Sequence, residues 1–307
     1  MHHQSKSMRH RGDAYFIINI RAFLVALFIL SSAICSGQEK HAILVGIGNY
    51  PIDSGWNEIH GNNDISILET RMIEQGVLPE NIIKLVDNQA TKSGICEAFE
   101  RTLTKVKKDD VVYVHFSGHG QQVTDLNGDE EDGWDEAWIP YDARKEYQEG
   151  VYEGENHLID DELNKILMRF RVKIGPSGKL VIVADACHSG SGTRGLHDDD
   201  DDDFVRGTGD RFTFPQTKYN IHPKAVPEEW LYVAACKPNE SNHEYKAPTG
   251  IWYGTLSYVI SQDDTDFTKS KYVDVLKIWN ETVRTINKRS KDITNDGRPS
   301  KRSSYLF

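Results

Sequence analysis

Short runs of β-branched and apolar residues alternate along the chain with stretches of helical periodicity. The apolar runs lie at residues 42–47, 82–86, 111–116, 180–184 and 231–235, and the helical pattern lies at residues 64–74, 92–106, 161–170, 250–260 and 272–286. Apolar runs this short are typical of strands buried on both faces of a parallel sheet. The alternation therefore predicts an α/β fold: a three-layer αβα sandwich with a mostly parallel sheet.

Two stretches do not follow this alternation. Residues 121–155 are acidic, glycine-rich and aromatic, and indicate a hairpin beyond the third strand. Residues 189–227 lack an apolar period and contain six consecutive aspartates at 198–203, so we expect a flexible, solvated acidic linker. This linker separates a larger part, residues 38–188, from a smaller part, residues 228–307.

The first 37 residues have the order of a secretory signal peptide: basic residues, an apolar stretch at 22–34, then small residues before Gln38. The apolar stretch is shorter than the ~20 residues that a membrane-spanning helix needs, so an uncleaved anchor is the weaker alternative. Lipid attachment at Cys35 is disfavoured because the large Ile34 precedes it. We expect an exported protein, periplasmic or extracellular, with no membrane span after cleavage.

Charge and cysteine content narrow the function further. The formal net charge of the 307 residues is −11, and about −5 without the aspartate run, so nucleic acid is not an expected partner. Signal cleavage would leave Cys96, Cys187 and Cys236, an odd number that argues against a disulfide framework and favours a reactive thiol. Cys96 and Cys236 lie in apolar patterns typical of buried packing thiols, whereas Cys187 has glycine and serine neighbours.

Two motifs follow neighbouring apolar runs: Ser-Gly-His-Gly at residues 117–120 and Asp-Ala-Cys-His-Ser-Gly at residues 185–190. The carboxyl ends of parallel strands meet at one edge of a sheet, where ligands bind. Cys187 is then the candidate nucleophile and His119 its proton acceptor, with the backbone N–H groups of Gly120 and Cys187 as oxyanion donors. A packing role would suffice for either side chain alone; their pairing at matching strand ends favours catalysis.

The segment between the two motifs completes a family pattern. It contains Asn-Gly-Asp-Glu-Glu-Asp-Gly-Trp-Asp-Glu at residues 127–136, Ile-Pro-Tyr-Asp at 139–142 and Ile-Asp-Asp-Glu-Leu at 159–163. Together with the two motifs, these segments resemble the metacaspases, and the likeness covers nearly all of the chain after the signal peptide. The resemblance implies a caspase-like fold with a six-stranded sheet and a His/Cys dyad that cleaves peptide bonds.

The resemblance also implies a pocket for a basic side chain. Asp185, two residues before the nucleophile, corresponds to a metacaspase aspartate that binds arginine or lysine, Asp64 matches a second one, and Ser117 would line the same pocket. Paired carboxylates attract a guanidinium or ammonium group and reject an acidic side chain, so cleavage is expected after Arg or Lys. A helix N-cap remains an alternative role for Asp64.

Calcium activation is a further implication of the resemblance. Metacaspase calcium ligands align with Asp135, Asp160 and Asp161, and carboxylate oxygens suit this cation. The chain departs from the pattern at the fourth position, where Arg194 replaces the aspartate of some family members, so that either Asp198 substitutes or the site is weak or absent. Alternatively, Asp160 and Asp161 cap the helix that begins there. We interpret residues 125–129 as a turn, since the glycine is misplaced for an EF-hand.

Self-processing is expected in the linker, which offers an Arg/Lys peptidase four basic residues: Arg194, Arg206, Arg211 and Lys218. The sequence thus predicts an exported, monomeric cysteine endopeptidase acting on peptide or protein substrates. Two alternatives stay open, a calcium-responsive scaffolding module with little turnover and a calcium-independent peptidase. No catalytic role is expected for the C-terminal part.

Overall fold

The computed structural model describes most of the chain between the N-terminal leader and the C-terminal region. The described residues are 37–130, 132–187, 204–215, 230–236 and 242–262. The predicted signal peptide with Cys35, the linker residues Arg194 and Lys218, the aspartate run and the predicted helix at 272–286 lie outside them. Within the described ranges, no helix has the length and apolar content needed to cross a membrane.

Ten strands and four α-helices occur in the described residues. The strands are β1 Lys40–Gly46, β2 Ile82–Val86, β3 Val111–Ser117, β4 Gly120–Thr124, β5 Trp134–Trp138, β6 Leu158–Ile159, β7 Lys179–Asp185, β8 Leu231–Ala234, β9 Glu244–Lys246 and β10 Trp252–Gly254. The helices are α1 Gly61–Glu74, α2 Lys92–Lys105, α3 Asp160–Ile174 and α4 Thr255–Gln262.

A parallel sheet of five strands, in the order β2-β1-β3-β7-β8, forms the middle layer. Its two faces carry separate apolar cores. Leu68 of α1 and Leu256 of α4 pack on one face, and Phe99 of α2 and Phe170 of α3 pack on the other. The αβα sandwich is confirmed, with five described strands where six were expected.

The predicted hairpin beyond β3 is also confirmed. Strands β4 and β5 pair antiparallel, and β6 adds a short third strand beside β5. Its root lies next to the first motif, because β4 begins directly after His119. The hairpin therefore extends from the edge of the sheet where the two motifs lie.

The helix predicted at residues 250–260 begins later than expected. Residues 252–254 form β10, which pairs antiparallel with β9, and α4 starts only at Thr255. Gly250, with φ of +83°, makes the turn between β9 and β10. The apolar and aromatic residues at 251–253 fit helical periodicity and a short strand equally, and the pairing partner decides between them.

The expectation of a solvated linker is wrong for residues 204–215, which we call the docked segment. Phe212 is 1% exposed, and its ring packs on those of Tyr152 and His157. Its backbone joins β4, since Phe212 N–H donates to the Gln122 carbonyl at 2.9 Å and the Thr124 N–H donates to the Phe212 carbonyl at 3.0 Å. Isolated aromatic side chains anchor this segment without any apolar period.

Candidate active site

The register of β3 against β7 brings the two motifs together. Ser117 pairs with Asp185 at the ends of these strands. His119 and Cys187 each lie two residues beyond that pair, at the same edge of the sheet. Because β3 and β7 are parallel and adjacent, their carboxyl ends lie side by side, and so do the two motifs that follow them.

The His119 ring is held by a loop that the sequence did not single out. The ring stacks on Trp56, with centroids 4.9 Å apart, and its Nε2 lies 2.9 Å from the carbonyl oxygen of Asn57. A carbonyl only accepts, so Nε2 carries the proton and Nδ1 has the free lone pair. Nδ1 has no hydrogen-bond partner among the described residues. Tyr50 fixes the backbone by accepting the His119 N–H at 3.0 Å.

The imidazole is uncharged at neutral pH. Burial lowers the pKa of His119 to about 4, and the nearby Arg206 guanidinium also lowers this pKa. A neutral ring with an available Nδ1 lone pair can accept a proton from a thiol.

Cys187 is fully buried beneath the docked segment. Its backbone N–H donates to the carbonyl oxygen of Arg206 at 2.8 Å. The next residue, Gly207, lies so close that an added Cβ would be 2.9 Å from the Cys187 Cβ, and Gly207 also bridges to Gly120. The peptide unit between Arg206 and Gly207 thus lies between the two motifs.

The three predicted pocket residues are adjacent and fully buried. The Ser117 hydroxyl donates to Asp64, and Asp185 lies at the facing strand end. Between them lies the Arg206 guanidinium, 3.0 Å from an Asp64 oxygen and 3.8 Å from an Asp185 oxygen. Its Nη1 also donates to the Ser117 hydroxyl oxygen and to the Asp185 carbonyl. A basic side chain of the protein itself occupies the predicted pocket.

The third carboxylate of the pocket is Glu244, which the sequence analysis missed. Its Oε1 accepts from both Nε and Nη2 of Arg206, at 3.0 and 2.8 Å. Asp64, Ser117, Asp185 and Glu244 are together called the acidic pocket below. In the sequence, Glu244 is a single glutamate at the start of β9 and resembles an ordinary surface glutamate. No local signal could have identified it.

The C-terminal part, for which no catalytic role was expected, also holds the pocket carboxylates in place. Asp185 accepts from the Asn242 side chain at 2.7 Å and from the backbone and hydroxyl of Ser257 at 2.8 and 2.7 Å. The Gly254 N–H donates to Asp64 at 2.9 Å. These donors arrive from residues that are distant in sequence.

The pocket charges respond differently to burial. Burial raises the pKa of Asp64 to about 6, despite the opposing influence of Arg206. Burial alone would also raise the pKa of Asp185, but Arg206 and the hydrogen bonds from Ser257 and Asn242 hold it below its ordinary value. For Arg206, burial favours the neutral form, and the surrounding carboxylates outweigh this and raise its pKa.

The predicted calcium ligands are only partly brought together. Oxygens of Asp135 and Asp160 lie within 4.8 Å of one another and of Glu130. Asp161 belongs to no such group among the described residues, and its carboxylate accepts from the Asn127 side chain instead. Both Asp160 and Asp161 lie in the first turn of α3, where negative charge is favourable, but the N-cap residue is Ile159 and no side chain caps the helix by a hydrogen bond.

The turn at residues 125–129 contributes two further carboxylates to this cluster. Asp125 accepts backbone N–H groups of residues 127, 128 and 130, which confirms the turn. Asp125 and Asp129 also lie within 4.8 Å of Asp135. Burial and the neighbouring carboxylates raise the pKa of Asp135 to about 8 and that of Asp160 to about 7. Such mutual repulsion between oxygen donors fits a site for a divalent cation.

The other two cysteines of the described chain have packing environments. Cys236 is buried and its thiol donates to the Ala186 carbonyl at 3.6 Å, whereas Cys96 is only partly buried, less than predicted. All three described cysteines are free thiols. Cys187 differs from both in its backbone N–H, which donates to the carbonyl oxygen of Arg206, the residue that occupies the pocket.

One solved structure supports the fold, and a second is similar at a lower score. A crystal structure of a Geobacter sulfurreducens protein aligns with a TM-score of 0.54 and 18% identity, covering 88% of this chain and 92% of that one. Caspase-1 from Spodoptera frugiperda aligns with a TM-score of 0.48 and 12% identity, covering 80% and 77%.

Comparison of sequences gives the family. Metacaspase-1A of Aspergillus oryzae is 35% identical over 165 residues, and metacaspase-1B of Aspergillus fumigatus is 33% identical over the same length; both alignments cover 51% of this chain and 36% of the relative. The chain thus spans about a third of the curated relatives that it matches. Residues 40–194 match the metacaspase, peptidase C14 domain, so the chain belongs to this family of cysteine peptidases.

Proposed function

We propose that this protein is a cysteine endopeptidase that cleaves after a basic residue and processes itself between Arg206 and Gly207. One observation carries the proposal: Arg206 lies in the acidic pocket while its carbonyl oxygen accepts the backbone N–H of Cys187. A substrate needs both contacts at once, because the pocket selects the side chain and the N–H stabilises the oxyanion. The docked segment therefore has the position of a substrate.

The proposed reaction is acyl transfer through a thioester. His119 Nδ1 takes the thiol proton of Cys187, and the sulfur attacks the carbonyl carbon of the basic residue. As the C–N bond breaks, the imidazolium returns the proton to the nitrogen of the leaving residue. Water, deprotonated by the same imidazole, then hydrolyses the thioester, which releases a carboxylate and restores the thiol. In self-processing, the acyl residue is Arg206 and the leaving amine is that of Gly207.

The basic preference follows from charge. Three fully buried carboxylates surround the guanidinium of the docked segment. An aspartate or glutamate in the same place would add a fourth negative charge to a desolvated site and leave these carboxylates without a counter-charge. Substrates with Arg or Lys before the cleaved bond are therefore favoured over acidic ones.

Calcium is proposed as an activator held either by Glu130, Asp135 and Asp160 or by Asp125, Asp129 and Asp135. When bound, it would supply positive charge that offsets the repulsion among these carboxylates. The cluster is connected to the active site, because Asp135 pairs with Val123 in the β4–β5 hairpin, and Val123 bridges to Phe212 of the docked segment. A displacement of this hairpin would therefore move both His119 and the docked segment.

The first experiment follows self-processing by mass spectrometry. Wild-type protein and Cys187→Ala are incubated with calcium or with a chelator, and the fragments are identified. We expect a new C-terminus at Arg206 in the wild type alone, formed faster with calcium and at a rate independent of dilution. Arg211→Ala, an exposed arginine of the docked segment, is the matched control and should be cut normally. An intact wild-type linker in calcium would reject the self-processing proposal.

The second experiment separates a peptidase from a scaffold. Fluorogenic peptides ending in Arg or in Asp are offered with and without calcium. Hydrolysis of the Arg peptide alone is expected, and hydrolysis of neither would favour the scaffolding module. Equal hydrolysis of the Arg peptide in calcium and in chelator would favour the calcium-independent peptidase.

Calorimetry tests the proposed calcium site. It compares calcium binding to the wild type, to Asp135→Asn and to the neighbouring control Asp132→Asn. Equal binding by all three proteins would place calcium elsewhere.

Export completes the proposal, since residues 1–37 have the order of a signal peptide. We expect the protein outside the cytoplasm, with its N-terminus near Gln38. N-terminal sequencing of the natively expressed protein tests this, and an intact leader would contradict it.

A further inference from the structure

The docked segment shows where the residues before the arginine of a substrate would bind. Its residues 204–206 run antiparallel to residues 242–244: Arg206 N–H donates to the Asn242 carbonyl and Glu244 N–H to the Phe204 carbonyl, both at 3.0 Å. Val205 bridges to His243 between them. Successive side chains of an extended strand alternate in direction, so Phe204 and Arg206 face the same side of the pairing.

Glu244 accepts a hydrogen bond from the Nε–H group of arginine, which lysine lacks. Its Oε1 accepts the Nε–H of Arg206 at 3.0 Å as well as an Nη2 hydrogen at 2.8 Å. Lysine has a methylene group at the position of Nε and a single terminal nitrogen. A lysine in this pocket would therefore place a methylene group where Glu244 Oε1 accepts the Nε–H, and the loss of a charge-assisted hydrogen bond at a fully buried carboxylate is disfavoured.

His60 connects Glu244 to the position of Phe204. The His60 backbone N–H donates to Glu244 Oε1 at 2.7 Å, and His60 Nδ1 lies 2.5 Å from Oε2. On its other side, the His60 ring meets Phe204 edge-on, with centroids 4.6 Å apart. Trp252 of β10 contacts the same phenyl ring at 5.3 Å, again edge-on. His60 and Trp252 thus form an aromatic subsite for the residue two positions before the arginine.

We propose that this protein selects substrates with arginine rather than lysine before the cleaved bond and with an aromatic residue two positions before that arginine. Glu244 is the determinant of the first preference, and the subsite of His60 and Trp252 is the determinant of the second. The inference rests on the proposed function, because the docked segment serves as the template for other substrates.

The test compares three peptide amides of a fluorogenic amine on the self-processed wild-type protein: acyl-Phe-Val-Arg, acyl-Phe-Val-Lys and acyl-Ser-Val-Arg. We expect kcat/KM for Phe-Val-Arg to exceed that for Phe-Val-Lys by at least about tenfold, the value of a hydrogen bond to a charged group. It should exceed that for Ser-Val-Arg by about three- to tenfold, the value of aromatic contacts.

Two variants assign the preferences to residues. Glu244→Gln should reduce the Arg/Lys ratio several-fold, and Trp252→Ala should reduce the Phe/Ser ratio and leave the Arg/Lys ratio unchanged. Glu58→Gln, an exposed carboxylate in the loop before His60, is the control and should change neither ratio. Thermal melting curves establish that each variant is folded, and the two wild-type ratios test the proposal without any variant.

The outcomes separate this inference from the proposed function. Hydrolysis of the Arg and Lys peptides at equal efficiency overturns the arginine preference, and equal efficiency for the Phe and Ser peptides overturns the aromatic subsite. Both results would leave the peptidase assignment intact. No hydrolysis of any peptide would overturn the proposed function, and this inference with it.

Discussion

Replacing Arg206 with alanine would leave three buried carboxylates without the cation that they surround. The side chains of Asp64, Asp185 and Glu244 are 0% exposed, and their oxygens lie 3.0, 3.8 and 2.8 Å from the guanidinium. Removing one partner of a buried charge pair costs about 3–5 kcal/mol, because the remaining charge stays desolvated. We expect Arg206→Ala to lower the free energy of unfolding by about this amount.

The destabilisation should depend on pH with a definite sign. Burial already raises the pKa of Asp64 to about 6, and loss of the guanidinium raises it further. The folded variant then binds a proton that the unfolded chain releases above its ordinary pKa of about 4. As the pH falls from about 8 to 6, the variant therefore regains stability relative to the parent.

Urea unfolding measures this effect in a Cys187→Ala background, in which neither chain is expected to be cut. The emptied pocket should bind benzamidine, a guanidine-like cation, which at 100 times its Kd stabilises the folded state by about 2.7 kcal/mol. The parent, with Arg206 in place, should gain nothing. Arg211→Ala is the control, since Arg211 is exposed and contacts Gln122 and Trp134 outside the pocket. A loss below about 1 kcal/mol, or equal stabilisation of parent and variant by benzamidine, would refute the reasoning.

Three further predictions concern other parts of the site. Gly254→Ala would place a Cβ 2.5 Å from the docked guanidinium, so hydrolysis of Arg peptides should fall at least about tenfold. Gly250→Asn, in the same hairpin, is the control and should keep its activity. Equal activity of the two variants would contradict the prediction. Trp56→Leu removes the ring stacked on His119 and should lower kcat about tenfold with little change in KM, whereas a change confined to KM would assign Trp56 to substrate binding. Burial lowers the pKa of His157 to about 3, so its neutral form is stabilising above the unfolded pKa of ~6.5 and becomes costly below it. The wild type should therefore lose about 1.4 kcal/mol per pH unit relative to His157→Gln between about pH 6 and 4, and parallel stability curves would contradict this.

The strands and the first half of the pocket could be predicted because their signals are local. Continuous apolar runs identified β1, β3 and β7, since a strand buried on both faces needs no alternation, and shorter apolar runs identified the edge strands β2 and β8, which are only partly buried. Ser117 and Asp185 end two such runs, and adjacency of those strands in a parallel sheet brings them together. Their grouping with Asp64 followed from the family resemblance.

The second half of the pocket had no local signal. Glu244 and Gly254 belong to a short hairpin whose position depends on packing against α1, far away in sequence. The docked segment was mistaken for solvated linker because its anchors are single residues, Phe212 for the apolar contact and Arg206 for the charges. Periodicity detects faces that repeat, and a substrate-like segment has no repeating face.

The position of Arg206 also explains how the intact chain would block its own pocket and how cleavage after Arg206 would free that pocket. In the intact chain the arginine is held from both sides, by pairing with residues 242–244 before it and by the Phe212 anchor after it, so its effective concentration at the pocket is high. Cleavage after Arg206 would remove the second anchor, which lowers the effective concentration of the arginine at the pocket. The walls of the pocket come from both sides of the proposed cut and remain joined through the pairing of β7 with β8. The cut would therefore empty the pocket without dismantling it.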